Sequence, residues 1–313
     1  MVAGAVGRPG KIVSVAQTLV HRVEAAGGIA LHVEETGDGA PLLFIHEFAG
    51  DHRSWEPQVR SFSRNYRCIT YAARGYHPSD VPEAAGSYSQ NHAVSDALSV
   101  LAALGVERAH IVGISMGGFC ALHLALRHPS LIRSAAIGGV GYGAPAAKRE
   151  AFRQECEAIA VAFEREGSPA VAERYALGPA RVQFLNKDPR GHAEFTRMLG
   201  EHSNLGSAGT MRGFQRERPS LYDFLDDFAQ MTVPLLIMVG DEDEGAIEPS
   251  VMLKRTMPTA GLAVFPRTGH TLNLEEPDHF NQTLRSFLGD VESEAWQPRD
   301  PRSISASTTG MDR

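Results

Sequence analysis

The segment 110–118 reads HIVGISMGG, a serine with glycines two positions away on either side, Gly113 and Gly117. That spacing suits a tight turn from strand to helix. The central residue takes a strained backbone conformation, and only small residues at those two positions avoid a clash across the turn. Such a turn lifts the Ser115 hydroxyl above the sheet edge. It also aims the N-terminus of the next helix at the reacting centre, which favours developing negative charge. Three fixed residues recur by chance, so context decides. HIVGI before Ser115 has strand character and MGGFCALHLALRHP after it has helical character, as the turn requires.

A serine nucleophile needs a general base, and the base needs a carboxylate to orient it. Of 13 histidines, His270 in RTGHTLNLEEP follows the apolar run LAVF and precedes a helical pattern, which puts it on a loop at the strand-end face. His46 also ends a strand-like run and reads as structural, beside the oxyanion loop. His21, His128, His192, His202 and His279 have no partner pattern and read as surface residues. The acid should lie in the run Asp241, Glu242, Asp243, Glu244 after LLIMVG. Asp243 is favoured because the chain must turn before a side chain can reach inward, with Asp241 as the alternate. Ser, acid, His is the chain order for this kind of turn. Met116 N–H is one expected oxyanion donor, and Phe48 N–H, in PLLFIHEFAGD, is the second.

The elements that must position these groups alternate along the chain. PLLFIH (41–46), CITYAA (68–73), HIVGIS (110–115), AAIGGV (135–140), PLLIMVG (234–240) and LAVF (262–265) have strand length. Helical patterns occupy HAVSDALSVLAALGV (92–106), ALHLALRH (121–128) and EEPDHFNQTLRSFLGDV (275–291). Alternation of this kind predicts an α/β fold with a mostly parallel sheet flanked by helices. One stretch breaks it: 142–230 is helical pattern with no convincing strand, and reads as a helical cap over the strand ends. The expected organisation is a weakly ordered segment 1–24, a core of 25–141 and 231–294, the cap 142–230, and a disordered tail 295–313.

At this point the residues resemble the α/β-hydrolase superfamily, in its capped serine-hydrolase branch, over about 28–290. Besides GISMGG, ARGYHPSD (73–80) resembles the family's arginine–glycine loop ending in Ser-Asp. GDEDEGAIEP resembles the acid loop, which implies Asp243 as the triad acid, and TGHTLNLEEPDHFN resembles the catalytic-histidine loop and last helix. Serine at 115 disfavours the dehalogenase and epoxide-hydrolase activities of relatives that carry aspartate there. One departure stands out. The family's oxyanion loop usually reads His-Gly, and here it reads His46-Glu47. Glu47 is expected to be a supporting carboxylate turned away from the pocket rather than a contact to a polar substrate group.

Other chemistries fit poorly. HEFAGDH begins like a zinc HExxH helix, but His52 is six residues after His46 rather than four, so the two cannot share a helix face. GRPGK (7–11) lacks P-loop spacing, and the glycines at 138, 139, 141 and 143 imitate a dinucleotide loop only loosely. No metal or organic cofactor is expected. With 30 Lys+Arg against 37 Asp+Glu, a net charge of -7 and no dense basic run, nucleic acid and anionic membrane are poor partners. Apolar runs fall short of a membrane span, and no signal peptide is read at the start. Cys68, Cys120 and Cys156 read as buried reduced thiols, consistent with a cytoplasmic protein. The expected activity is hydrolysis of a small to medium, partly hydrophobic carboxylic ester or lactone through an acyl-enzyme. The alternatives are a carbon–carbon bond hydrolase of ring-cleavage products, a cofactor-free perhydrolase or haloperoxidase, and a non-catalytic ligand receptor on the same scaffold. Homo-oligomerisation is left open.

Overall fold

The computed structural model describes residues 17–304 and residue 309. Eight strands, β1 (Leu19–Ala25), β2 (Ile29–Thr36), β3 (Ala40–Ile45), β4 (Tyr66–Tyr71), β5 (Ala109–Ile114), β6 (Ile132–Gly138), β7 (Leu235–Gly240) and β8 (Ala260–Phe265), form one sheet. Their order across it is β1-β2-β4-β3-β5-β6-β7-β8. β1 and β2 run antiparallel to their neighbours, and from β4 to β8 every pairing is parallel. The expected α/β class and mostly parallel sheet are therefore present.

The central strands are apolar on both faces because helices cover both faces. Side chains alternate along a strand, so Leu42 and Phe44 of β3 pack with Val112, Met238 and Phe280 on one side, and Leu43 and Ile45 pack with Ile111, Ile137 and Phe119 on the other. Each such fully buried side chain contributes roughly 1.5–3 kcal/mol of transfer free energy. All three cysteines are free and buried, Cys68 and Cys120 in this packing and Cys156 on the helix Ala146–Glu166.

Two expectations about the ends are corrected. All of β1 but its last residue lies within the segment expected to be weakly ordered, and the strand pairs with β2 through the turn at Gly27 and Gly28, both at positive φ. The start of the expected disordered tail is anchored: the Trp296 indole N–H donates to the Thr259 carbonyl (2.8 Å) and its ring sits edge-on to Phe287. Residues 1–16, and beyond 304 all but 309, lie outside the described residues.

Between β6 and β7 the chain is helical, including Ala146–Glu166, Ser168–Tyr175, Val182–Lys187, Pro189–Gly200 and Asn204–Gly209, with a π-helical turn at Thr210–Gln215. These helices bury a core of their own, Phe163, Phe184, Phe195 and Leu199 among it, and that core is continuous with Phe48, Ala49 and Met116 at the strand ends. His192 and His202, expected at the surface, are buried here. The His192 ring hydrogen-bonds the Ala176 carbonyl, and the His202 ring lies edge-on to Tyr76. No helix among the described residues is long and apolar enough to cross a membrane.

Candidate active site

Ser115 stands between β5 and the helix Met116–Arg127 with φ 51° and ψ -116°. A non-glycine residue there costs of order 1–3 kcal/mol and persists only where its surroundings fix it. The fixing contacts are visible. Ser115 N–H donates to Gly138 O of the neighbouring strand (2.8 Å), and Phe119 N–H donates back to Ser115 O (2.9 Å). The flanking glycines are required by close backbone approach: a Cβ on Gly113 would collide with Gly117 O, and one on Gly117 with Ile45 O at the end of β3.

His270 and Asp243 meet from different loops. His270 follows β8; Asp243 is fully buried at the start of the helix Glu244–Thr256. His270 Nδ1 lies 2.8 Å from Asp243 Oδ2. Burial alone would push the Asp243 carboxyl up, but the attraction of His270 and hydrogen bonds from His270 and Tyr142 hold it below the usual carboxylate range. Asp241 is elsewhere engaged, accepting from Thr268 N–H (3.1 Å). Of the two acids considered, the structure brings Asp243 to the histidine. Gly139, at positive φ, lets the backbone pass the pair, since a Cβ there would lie 3.0 Å from the His270 ring.

Ser115 and His270 line one cavity of about 630 Å³, walled by Tyr142, Phe152, Ile159, Tyr175 and Met211. The two residues expected to supply the oxyanion donors belong to one buried apolar cluster. Met116 opens its helix, where an N–H has no intrahelical partner, and Phe48 is buried beside it. The Phe48 carbonyl is held by the Tyr76 hydroxyl (3.0 Å), which fixes that peptide. His46 is structural: its Nδ1 contacts Glu47 O (2.7 Å), its Nε2 accepts from Ala73 N–H (3.0 Å), and burial pulls it down to about 4. Arg74 of the arginine–glycine loop is also structural, gripping Asp96 with two 2.6 Å hydrogen bonds.

A family model described as the alpha/beta hydrolase fold matches residues 40–151. The 3-oxoadipate enol-lactonase 1 of Acinetobacter baylyi is 26% identical over 268 residues, which are 85% of this chain and 95% of that protein. The 2-hydroxymuconate semialdehyde hydrolase of Pseudomonas putida is 28% identical over 284 residues, 86% of this chain and 94% of that one. A thermophilic esterase from Thermogutta terrifontis superposes with a TM-score of 0.76 at 25% identity, covering 88% of this chain and 99% of its own. The chain has the α/β-hydrolase fold and is similar to hydrolases of that superfamily.

The chain also has site residues that sequence reasoning did not find. Tyr142 donates its hydroxyl to Asp243 Oδ1 (2.8 Å) and sets its ring edge-on to His270. It lies in the glycine run 138–143, whose many glycines were the available signal: they let the backbone reach the acid and the base. Arg181, from the short 3-10 turn Pro179–Arg181, is the partner of Glu47. Its Nη1 is 3.0 Å from Glu47 Oε1, and it also hydrogen-bonds Thr271, next to the base. His270 N–H donates to Ala180 O of the same turn (2.9 Å). Glu47 does not take positive φ, so the glycine usual in the family is not demanded by backbone conformation here. The carboxylate instead ties the helical insert to the oxyanion loop.

Proposed function

We propose that this enzyme is a serine hydrolase acting on a small to medium, partly hydrophobic carboxylic ester or lactone through an acyl-enzyme. The observation that carries the reading is the strained Ser115 opening into the same cavity as the buried His270–Asp243 pair. Ser115 Oγ attacks the substrate carbonyl while His270 Nε2 takes its proton. Asp243, held by Tyr142, fixes the tautomer with the proton on Nδ1 and stabilises the imidazolium. The N–H groups of Phe48 and Met116 bind the tetrahedral oxyanion, each worth about 2.7–4 kcal/mol in comparable sites. His270 then gives its proton to the leaving oxygen, and water repeats the sequence on the acyl-enzyme. The helices of 142–230 act as the cap whose apolar wall shapes the pocket.

A second feature narrows the substrate. Arg218 lines the cavity, 3% exposed, with its guanidinium 3.9 Å from the Phe119 ring centroid; Nη2 donates to Tyr142 O, but Nε and Nη1 have no partner among the described residues. Burial pulls it down to about 9, which leaves it a cation at neutral pH. An acceptor on the substrate, a carboxylate above all, completes that arginine. This also keeps a ring-cleavage carbon–carbon hydrolase as the second reading, because the Pseudomonas putida relative acts on a 2-hydroxymuconate semialdehyde and such products carry carboxylates.

The test is a panel of p-nitrophenyl esters and lactones, neutral and carboxylate-bearing, with a vinylogous diketone acid alongside. Ester or lactone turnover that disappears in Ser115→Ala is the expected result, with lower KM for the carboxylate-bearing members. Turnover retained by Ser115→Ala sinks the assignment, and activity confined to the diketone selects the carbon–carbon reading.

A further inference from the structure

A second cavity, of about 360 Å³, shares no lining residue with the one around Ser115. His32, Glu34, Asp51, His52, His77 and His202 border it. His32 and Glu34 are two residues apart on β2, so their side chains leave the same face of the strand. His52 opens the 3-10 turn His52–Trp55 that follows the oxyanion loop. The three side chains converge. His32 Nε2 is 2.9 Å and His52 Nε2 is 3.4 Å from the same oxygen, Glu34 Oε1, and all three ligand atoms lie within 4.8 Å of one another. Nitrogen and oxygen ligands of a tetrahedral zinc ion, at about 2.0–2.1 Å from the metal, stand about 3.3 Å from each other. The two separations from Glu34 Oε1 are already close to that value.

We propose that His32, Glu34 and His52 form a binding site for a divalent transition-metal ion of the zinc class, with its fourth position open to this cavity. The donor set is the borderline nitrogen and carboxylate chemistry that zinc takes, and that nickel, cobalt and copper share. An independent observation lies behind the ligands. His52 Nδ1 is buried with no hydrogen-bond partner among the described residues, 3.8 Å from Asp51 Oδ1. A ligating histidine characteristically gives its other N–H to a carboxylate, and a small ring rotation completes that bond here. Both ring nitrogens of His202, facing the same cavity, also lack hydrogen-bond partners among the described residues, although Nε2 stands 3.7 Å from Asp51 Oδ2. The nearest cation does not oppose the ion strongly, because the Arg53 guanidinium is spent on Asp51 and Glu201. His46 takes no part, since both its nitrogens are engaged by backbone. His52 thus finds its partners across the sheet edge rather than along its own helix. A bound ion would staple β2 to a residue four positions beyond Phe48, so it would brace the oxyanion loop without entering the chemistry at Ser115.

The experiment uses the full chain, stripped with chelator and exchanged into metal-free buffer. ZnCl2 is titrated calorimetrically, and Co2+ is followed by the visible d–d absorption of a tetrahedral site. One ion per chain is expected, with a melting temperature that climbs with zinc concentration by mass action. His32→Gln/His52→Gln should bind at least about 100-fold more weakly, since losing a supporting carboxylate alone costs about 10–100-fold. Glu34→Gln is the second variant, should the double variant fail to give the circular dichroism of the parent. It should lose the tetrahedral cobalt spectrum. No calorimetric binding up to millimolar zinc overturns the proposal. So does binding that is unchanged in these variants, which would place the ion on other histidines.

Discussion

Asp243 accepts from two donors, His270 and the Tyr142 hydroxyl, and the second of these decides how firmly the first is aimed. The Tyr142 hydroxyl faces the Asp243 carboxylate, and burial together with that charge pushes the phenol well above its usual range, so it acts as a donor throughout. Removing it leaves one buried oxygen of Asp243 unpaired, and hydrogen bonds to charged groups are worth about 1.5–3 kcal/mol. Tyr142→Phe should therefore lower kcat by about tenfold or more with little change in KM, because the bond strengthens the orientation of the base and not ground-state binding. Steady-state kinetics on a neutral ester check this, and a change confined to KM would count against it. At this scale the sequence shows the groups proposed to react better than the groups that hold them. Ser115, His270 and Asp243 announce themselves through turn spacing and loop position. Tyr142 and Arg181 act through partners about 100 and 134 residues away, and nothing local marks such a partnership.

Among elements, the 3-10 turn Pro179–Arg181 is a piece of the helical insert that meets both the loop of Glu47 and the loop of His270. Through Arg181 it joins Glu47 on the oxyanion loop and Thr271 on the histidine loop, and through Ala180 O it takes the His270 N–H. Arg181 and Glu47 are 3% and 5% exposed. A buried pair of this kind is weak evidence for stability as a whole, but removing one member strands the other charge and costs about 3–5 kcal/mol. Glu47→Gly, which would restore the family's usual His-Gly, should be destabilising by about that amount in chemical denaturation. Glu47→Gly/Arg181→Met should recover part of the loss, since the two changes share one interaction. If Glu47→Gly proves neutral, the pair is not the clasp described here. Element existence was largely legible, and for one reason. Strands β3 to β7 are covered by helices on both faces and so read as short apolar runs, whereas β1 and β2 towards one sheet edge are half-exposed and mix Arg22, Glu24, His32 and Glu34 with apolar residues. Their hairpin signal was Gly27-Gly28 between two alternating stretches.

The molecule as a whole buries several imidazoles without charging them, and that sets its response to acid. His46, His110 and His123 are each about 1% exposed and each pulled down from 6.5 to about 4, in every case chiefly by burial. The unfolded chain takes up protons near 6.5 while the fold refuses them until about 4. Their contribution is thus intact above about pH 6.5 and is lost as pH falls through that window. Each histidine adds a slope of about 1.4 kcal/mol per pH unit inside it, so three together reach about 4 kcal/mol per unit near pH 5. Asp51 and Asp243, whose carboxyls are held below their usual range, act at lower pH: their contribution is present above the ordinary carboxylate range and lost below it. Destabilisation beginning between pH 6 and 5 is therefore a histidine signature. His123 isolates it best, because neither ring nitrogen has a hydrogen-bond partner among the described residues and the ring packs edge-on against Phe224. Urea unfolding of the parent and of His123→Leu at pH 8, 7, 6 and 5 should show the variant losing stability less steeply, by about 1.4 kcal/mol per unit below pH 6. Parallel curves for the two proteins would mean that His123 takes its proton within the fold, and that the acid response comes from elsewhere.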